Sequence, residues 1–278
     1  MRERRSAILQ KILAYVLLAL GAFLMIGPFL WTLSTAVKGP GLAFQIPPRF
    51  FQPPFHFDNF GLVWEKANFL GYTLNSLFVT ILSVIGVIIA SSLAGFGLAR
   101  YDFKGANAVF FIALATMMVP YQTLVIPQYV MWQSAHLLDT YVPIVAPFWF
   151  GTAFGVFMMR QCFKSLPGEL YEAAIVDGCH PLRIFTQIYF PLAKTTVAAL
   201  GVFTFIGEWN DVFKPLIYIT TKTKYTLTIG LLYMRGEYSA NIELLMAATV
   251  IMMIPILTLF IFAQKYFVQG IVSAGIKG

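Results

Sequence analysis

Residues 73–99, from Thr73 to Ala99, read TLNSLFVTILSVIGVIIASSLAGFGLA and contain no Asp, Glu, Lys or Arg. An α-helix rises about 1.5 Å per residue, so about 20 such residues cross the hydrocarbon core of a bilayer. The stretch reads as a transmembrane helix. Its Gly86, Ala90, Ala94, Gly95, Gly97 and Ala99 include small-xxx-small pairs, which let a neighbouring helix approach closely. Working outward, comparable apolar stretches occupy residues 12–37, 106–131, 141–159, 195–219 and 244–262. Six spans result, and residues 1–278 read as a single all-α transmembrane domain.

The composition agrees. Of 278 residues, 59% are hydrophobic and 11% charged, whereas soluble domains are about 45–50% apolar and about 25% charged. The mean hydropathy is +0.76, with 27 Phe, 13 Tyr and 5 Trp. These values exclude a soluble enzyme domain and a disordered chain. Cys162 and Cys179 have neither CxxC nor Cys/His ligand spacing, so no metal or redox pair is indicated. The start, Met1-Arg2-Glu3-Arg4-Arg5, looks like a signal n-region, but the apolar run after it exceeds a signal's usual length and reads as an uncleaved first helix.

Charge orients the spans. Lys38, Arg49, Lys66, Lys222, Lys224 and Arg235 fall on one side, and Lys214 falls within the fifth span. The rest of the 19 Lys and Arg lie on the side of the N-terminus. By the positive-inside rule both termini are cytoplasmic, and the net charge of +7 records topology rather than nucleic-acid binding. Outer loops are then 38–72, 136–140 and 220–243; inner loops are 100–105 and the long 161–194. In the first outer loop Asp58 can cap a short helix whose Phe60, Val63, Trp64 and Ala67 share one face, as in a helix lying on a membrane surface.

Loop 161–194 carries the strongest local grammar. In Ser165-Leu-Pro-Gly-Glu-Leu-Tyr-Glu-Ala-Ala-Ile-Val-Asp-Gly178, Pro167 suits a first turn. Glu169 and Glu172 place negative charge at the positive end of the helix dipole, and Gly178 suits a left-handed C-cap. Pro181 restarts a helix with Leu182, Phe185 and Ile188 in phase, and Pro191 ends it. Ala173 and Ala174 are small enough for another protein to approach the backbone, and Glu172 offers it a carboxylate.

Glu172-Ala173-Ala174-x3-Gly178, followed by Ile188-x2-Pro191, resembles the EAA loop of permease subunits in bacterial ATP-binding-cassette importers. Phe57-Asp58-Asn59-Phe60, Asn75-Ser76, Pro120, Pro127, Trp209-Asn210-x4-Pro215-Leu216 and the tail Gln269-Gly270-x4-Gly275-x-Lys277-Gly278 narrow the likeness to the carbohydrate-uptake, maltose-permease-G-like branch. The resemblance implies the type I importer permease fold with six transmembrane helices in the bacterial cytoplasmic (inner) membrane. It implies a coupling helix carrying Glu172, Ala173, Ala174, Asp177, Gly178 and Pro191, which seats on a cytoplasmic ATPase dimer. The partners implied are that ATPase, a homologous second permease subunit, an extracytoplasmic solute-binding protein, a sugar substrate and membrane lipid. ATP and Mg would be bound by the partner ATPase, with no cofactor in this chain, and the tail would face the ATPases.

Glu208, Asp211 and Lys214 lie inside the fifth span, where one charge costs about 2.5–3.5 kcal/mol on insertion scales. Their spacing places them on one side of a continuous helix, with Asp211 paired to Lys214. Two readings stay open: Glu208 and Asp211 line a polar path, or they satisfy neighbouring helices. The third span, kinked by Pro120 and Pro127 and carrying Tyr121, Gln122 and Gln128, suits a helix lining a translocation cavity. Tyr129, Trp132 and Trp149 read either as sugar-stacking platforms or as interface anchors. No phosphate-cradling loop, metal-ligand set or nucleophile triad is present in the sequence, so it reads as a non-catalytic permease. An ion-coupled secondary carrier and an importer of a non-sugar solute such as glycerol-3-phosphate are the competing readings.

Overall fold

A computed structural model describes residues 2–66, 68–237 and 241–275, and among them every regular element is helical. The elements are α1 (Arg2–Ala36), α2 (Asp58–Lys66), α3 (Phe69–Arg100), α4 (Ala106–Thr116), α5 (Tyr121–Ser134), α6 (Val142–Trp149) and α7 (Ala153–Ser165). They continue with α8 (Glu169–Val176), α9 (Pro181–Ile184), a π turn (Phe185–Tyr189), α10 (Phe190–Leu192), α11 (Lys194–Trp209), α12 (Phe213–Tyr218), α13 (Leu227–Glu237) and α14 (Ile242–Gly275). Gln10–Ala36, Phe69–Arg100, Val142–Ser165 and Ile242–Gln264 are long and apolar enough to cross a membrane. Two sharply bent pairs, α4 with α5 and Pro181–Leu192 with α11, raise the number to six if each counts as one span.

The described residues fall into two compact units. One comprises those of Met1–Phe69 and Leu231–Ile254; the other comprises those of Leu70–Gly230 and Pro255–Gly278. In the first unit, none of the apolar window of α1 is buried, so its Leu, Phe and Met side chains are solvated by lipid or by a partner. The end of α1 is tied down by polar groups. Asn59 of α2 donates to the carbonyls of Ala36 and Lys38, both at 2.9 Å, satisfying acceptors that a helix C-terminus leaves open. Lys38 is 1% exposed, with its ammonium 4.3 Å from the centre of the Trp31 ring. Burial pushes its pKa below the usual lysine range, and the charge of Glu243 partly restores it. Glu243 in turn accepts from the amide of Ala43 at 2.9 Å. On α2, Val63 is buried and Trp64 meets Phe69 edge-on with ring centroids 5.1 Å apart; Ala67 lies outside the described residues.

In the second unit α3 is the central post. A Cβ built on Gly95 would sit 2.7 Å from Cβ of Met159 and 2.8 Å from the amide of Arg160, and one on Gly86 would meet the Trp149 ring at 2.6 Å. The small residues of 73–99 therefore serve close packing against α6 and α7. Gly97 is different, with nothing within 4 Å.

Three helices depart from the sequence expectation. Residues 106–131 do not form one doubly kinked helix: α4 and α5 meet at 98° across the break at 117–120, where Pro120 is extended, while Pro127 sits inside α5. The helix of the fourth span continues to Ser165, so residues 161–165 of the expected connecting loop are helical. Residues 195–219 are also interrupted. Asn210 donates to the carbonyl of Ile206 at 2.8 Å, and Asp211 Oδ1 accepts the amide of Phe213 at 2.9 Å. These local side-chain bonds compete with the helix ladder and split it into α11 and α12.

Gly95→Leu is expected to destabilise the protein by about 1–3 kcal/mol through overpacking. A clear drop in the thermal unfolding midpoint in detergent, with Gly97→Ala unchanged or slightly higher, is the measurement that checks the packing.

Candidate functional site

The segment from Gly168 to Cys179 folds as the local grammar requires. Glu169 and Glu172 occupy the first turn of α8, whose end is a Schellman motif: Gly178 N donates to Ile175 O and Cys179 N to Ala174 O, both at 2.9 Å. Gly178 takes φ +73, a conformation that costs any residue with a Cβ about 1–2 kcal/mol. The two alanines have different fates. Ala174 is 5% exposed and points into the protein's own core, whereas Glu172, Ala173, Asp177 and Gly178 are exposed. The expectation that both alanines face a partner is corrected accordingly. Leu170, Ile175 and Val176, the last 86% exposed, continue the uncovered apolar surface around Ala173.

Ala174 enters a socket built by Phe96 of α3, Met159 and Phe163 of α7, and Ile184, Phe185 and Tyr189 beyond Pro181. The ring of Phe96 contacts Phe163, Tyr171, Phe185 and Tyr189 at centroid distances of 5.1–6.2 Å. Arg100, at the end of α3, donates to the carbonyls of Phe163 at 2.6 Å and Leu166 at 2.8 Å and lies 4.7 Å over the Tyr189 ring. A cation on the last carbonyls of α7 is where the helix dipole favours one. The second small helix differs from its expected phase, since Ile184, Phe185 and Tyr189 turn inward and Leu182 is exposed. The π turn at Phe185–Tyr189 explains the shift: Pro191 has no N–H for a regular ladder, which widens just before it. Pro191 itself lies in α10, two residues before Ala193, where the chain bends by 78° into α11.

Beyond that bend, Glu208, Asp211 and Lys214 meet at the α11–α12 break. They do not lie along one continuous helix face, and Lys214 is not Asp211's alone. Its Nζ is 2.5 Å from Glu208 Oε1 and 3.2 Å from Asp211 Oδ2, and 4.9 Å from the centre of the Phe148 ring. Glu208 Oε2 remains without a hydrogen-bond donor among the described residues, although the Glu208 side chain is only 7% exposed, and Asp211 Oδ2 has only the ion pair to Lys214. Nearby, the Tyr121 and Tyr218 hydroxyls are 3.2 Å apart, Tyr218 reaches Gln128 Oε1 at 3.3 Å, and Tyr121 meets the Phe213 ring edge-on. The fold thus gathers Glu208, Asp211, Tyr121 and Gln128 around two helix breaks. Gln122 is exposed and makes none of these bonds.

Asp139, not singled out by the sequence, proves to be a latch. It takes φ +56 in the turn before α6, and its carboxylate accepts from the amides of Thr220 and Thr221, the hydroxyl of Thr221 and Nζ of Lys224 at 2.7–2.9 Å. Burial alone would raise its pKa, but these donors together hold it well below the usual carboxylate range. The only sequence signal was an Asp in a short turn, which is too common to single it out. Residues 276–278, the end of the tail expected to face the ATPases, lie outside the described residues.

Interrupted spans, a capped surface helix seated on them and a polar cluster at a helix break are the defining features of the second unit. The chain belongs to the family of binding-protein-dependent transport system inner membrane components, whose profile matches residues 84–273, and it is a multi-pass inner-membrane protein. It is 33% identical over 246 residues to the arabinooligosaccharides transport system permease protein AraQ of Bacillus subtilis (strain 168), covering 88% of this chain and 86% of AraQ. It is 32% identical over 276 residues to the lactose transport system permease protein LacG of Rhizobium radiobacter, covering 96% of each. Its fold matches a chain in the crystal structure of a bacterial ABC transporter involved in import of the acidic polysaccharide alginate, with a TM-score of 0.83, 25% identity and coverage of 95% of this chain and 98% of that chain.

Asp139→Ala is expected to free the 219–224 segment and speed trypsin cleavage at Lys222 about tenfold, the scale of lost hydrogen bonds to a charged group. Because the carboxyl's pKa is lowered on folding, its contribution is complete above the ordinary Asp range and is lost as pH falls below it. The protection factors of the Thr220 and Thr221 amides against hydrogen exchange should accordingly fall only in acid.

Proposed function

We propose that this chain is the permease subunit of an ATP-driven, binding-protein-dependent sugar importer, forming half of the translocation path. The observation that supports this reading best is α8, a helix closed at its C-terminal end by Gly178, whose Ala174 is anchored in the core while Glu172, Ala173 and Val176 stand uncovered. An apolar patch with a carboxylate at its edge, at a water-facing end of a membrane protein, is built for a second protein. In this reading that protein is a cytoplasmic ATPase dimer, which binds ATP and Mg, and both termini of the permease are cytoplasmic. A second, homologous permease completes the path, and a solute-binding protein delivers sugar from the other side. Sugar is favoured because relatives such as AraQ and LacG are named as arabinooligosaccharide and lactose permeases.

The mechanical route follows contiguous contacts. Closure of the ATPases displaces α8, and Ala174 bears on Phe96, Phe163 and Tyr189. Arg100 keeps α3, α7 and the π turn moving together. The 78° bend at Ala193 then converts that displacement into a swing of α11, which ends at Glu208 and the break. At that break Glu208 Oε2, which has no donor, and the ion-paired Asp211 Oδ2 are acceptors for sugar hydroxyls, and Tyr121 and Gln128 extend the polar lining.

The test is uptake in proteoliposomes holding the chain with its co-purified ATPase, second permease and binding protein. Glu172→Lys and Gly178→Val should each lower uptake more than about tenfold, the effect of a lost buried contact or a strained left-handed residue, while membrane insertion is retained. Normal uptake in both variants would refute coupling through α8. Transport by this chain alone, without the ATPase, would instead establish an ion-coupled carrier. Glu208→Gln and Asp211→Asn should alter uptake or the range of sugars taken up; if both are silent, the cluster is structural.

A further inference from the structure

At the end of α3 lies a cavity of about 220 Å³ whose lining is chiefly polar. Arg160, Lys164, Asp102 and Asn107 border it, together with the backbone at the start of α4. Arg160 is 5% exposed, yet among the described residues no carboxylate lies within ion-pair distance of it. Its guanidinium is oriented by neutral groups only. Nε donates to Leu98 O at 3.2 Å, one terminal nitrogen donates to Asn107 Oδ1 at 2.9 Å, and the plane lies 3.9 Å over the Phe110 ring. Five donors in a fixed fork leave N–H groups for a further acceptor. A buried cation without an anion is costly, so the arrangement asks for one.

The start of α4 adds to the same field. Gly105, at φ +93, offers no side-chain cap; the Ala106 amide donates to Phe103 O at 3.2 Å, and the start of this 11-residue helix lies beside the cavity at the positive end of its dipole. The exposed Lys164 supplies a second cation, and Asp102 opposes it without pairing to either base. The cavity also sits where α3 ends, α4 begins and α7 approaches its end, with Tyr101 and Phe103 exposed beside it, and helix ends with exposed aromatic side chains favour a membrane–water interface.

We propose that this cavity binds a phosphate group through Arg160, Lys164 and the α4 N-terminus, as the headgroup of an anionic phospholipid or as free phosphate. A basic pocket between transmembrane helices at the interface has the chemistry for lipid headgroups. Bidentate guanidinium contacts then fix the phosphate, while Lys164 sets the preference for a net negative headgroup over a zwitterionic one.

The test is native mass spectrometry of the full chain in detergent, delipidated and then titrated with equimolar phosphatidylglycerol and phosphatidylcholine of matched chains, and separately with inorganic phosphate. Phosphatidylglycerol adducts should exceed phosphatidylcholine adducts about fivefold, the factor one basic residue contributes near a bilayer surface. The preference should vanish in Lys164→Ala and increase in Asp102→Asn, both exposed positions whose substitution spares the packing. Arg160→Gln should abolish retention, and if it fails to fold the other two variants decide. A phosphate adduct that is lost in Lys164→Ala, with no lipid preference, assigns the site to the free anion. Absence of a phosphate-bearing adduct from either source, as when a partner's carboxylate fills the cavity, overturns the proposal, as does a preference unchanged in both Lys164→Ala and Asp102→Asn.

Discussion

Hydrocarbon offers no hydrogen bonds, so every backbone amide and carbonyl that crosses it must find a partner in the protein. That constraint explains why the chain is helical and why each interruption is accompanied by a compensating group. Where α4 gives way to α5, the hydroxyls of Thr116 and Thr123 take up the carbonyls of Ala113 and Pro120. Where α6 gives way to α7, Thr152 accepts the amide of Gly155 and donates its own amide to Ser91. Where α11 ends, Asn210 and Asp211 bond backbone on either side of the break. The breaks are stable features because these local bonds replace the ladder bonds that each interruption removes.

The same economy applies to charge. Lys214 lies between two carboxylates and an aromatic face, Lys38 lies over Trp31 within the field of Glu243, and Arg100 caps α7. Each solves a local problem with a neighbour from another element. Arg160, like Arg100, is held by neutral groups only, here a carbonyl, an amide and a ring, but it is 5% exposed and borders a polar cavity.

Much of the architecture was legible because its causes are local. The boundaries of α8 follow from Glu169, Glu172 and Gly178, and the close approach of α7 to α3 follows from Gly95. Other features depend on contacts distant in sequence. Nothing near residue 174 distinguishes Ala174 from Ala173; only the aromatic socket of Phe96, Phe163 and Tyr189 does so. The Glu208 cluster was visible as three charges in an apolar stretch. Its reading as one helix face failed because helical periodicity assumes an unbroken ladder, which Asn210 and Asp211 interrupt.

By itself the sequence determined that the chain lives in a membrane, how many times it can cross, and that a capped helix with a Glu-Ala-Ala core stands between the fourth and fifth spans. Those properties are sums over residues or patterns within a few turns, where apolar area, dipole and cap chemistry act at short range. Only the tertiary structure decided which alanine is anchored, that Lys214 serves both Glu208 and Asp211, that Asp139 latches a distant loop, and that Arg160 borders a polar cavity with no acid of its own. These depend on which helices meet, and a meeting between residues far apart in the chain leaves no periodicity to read.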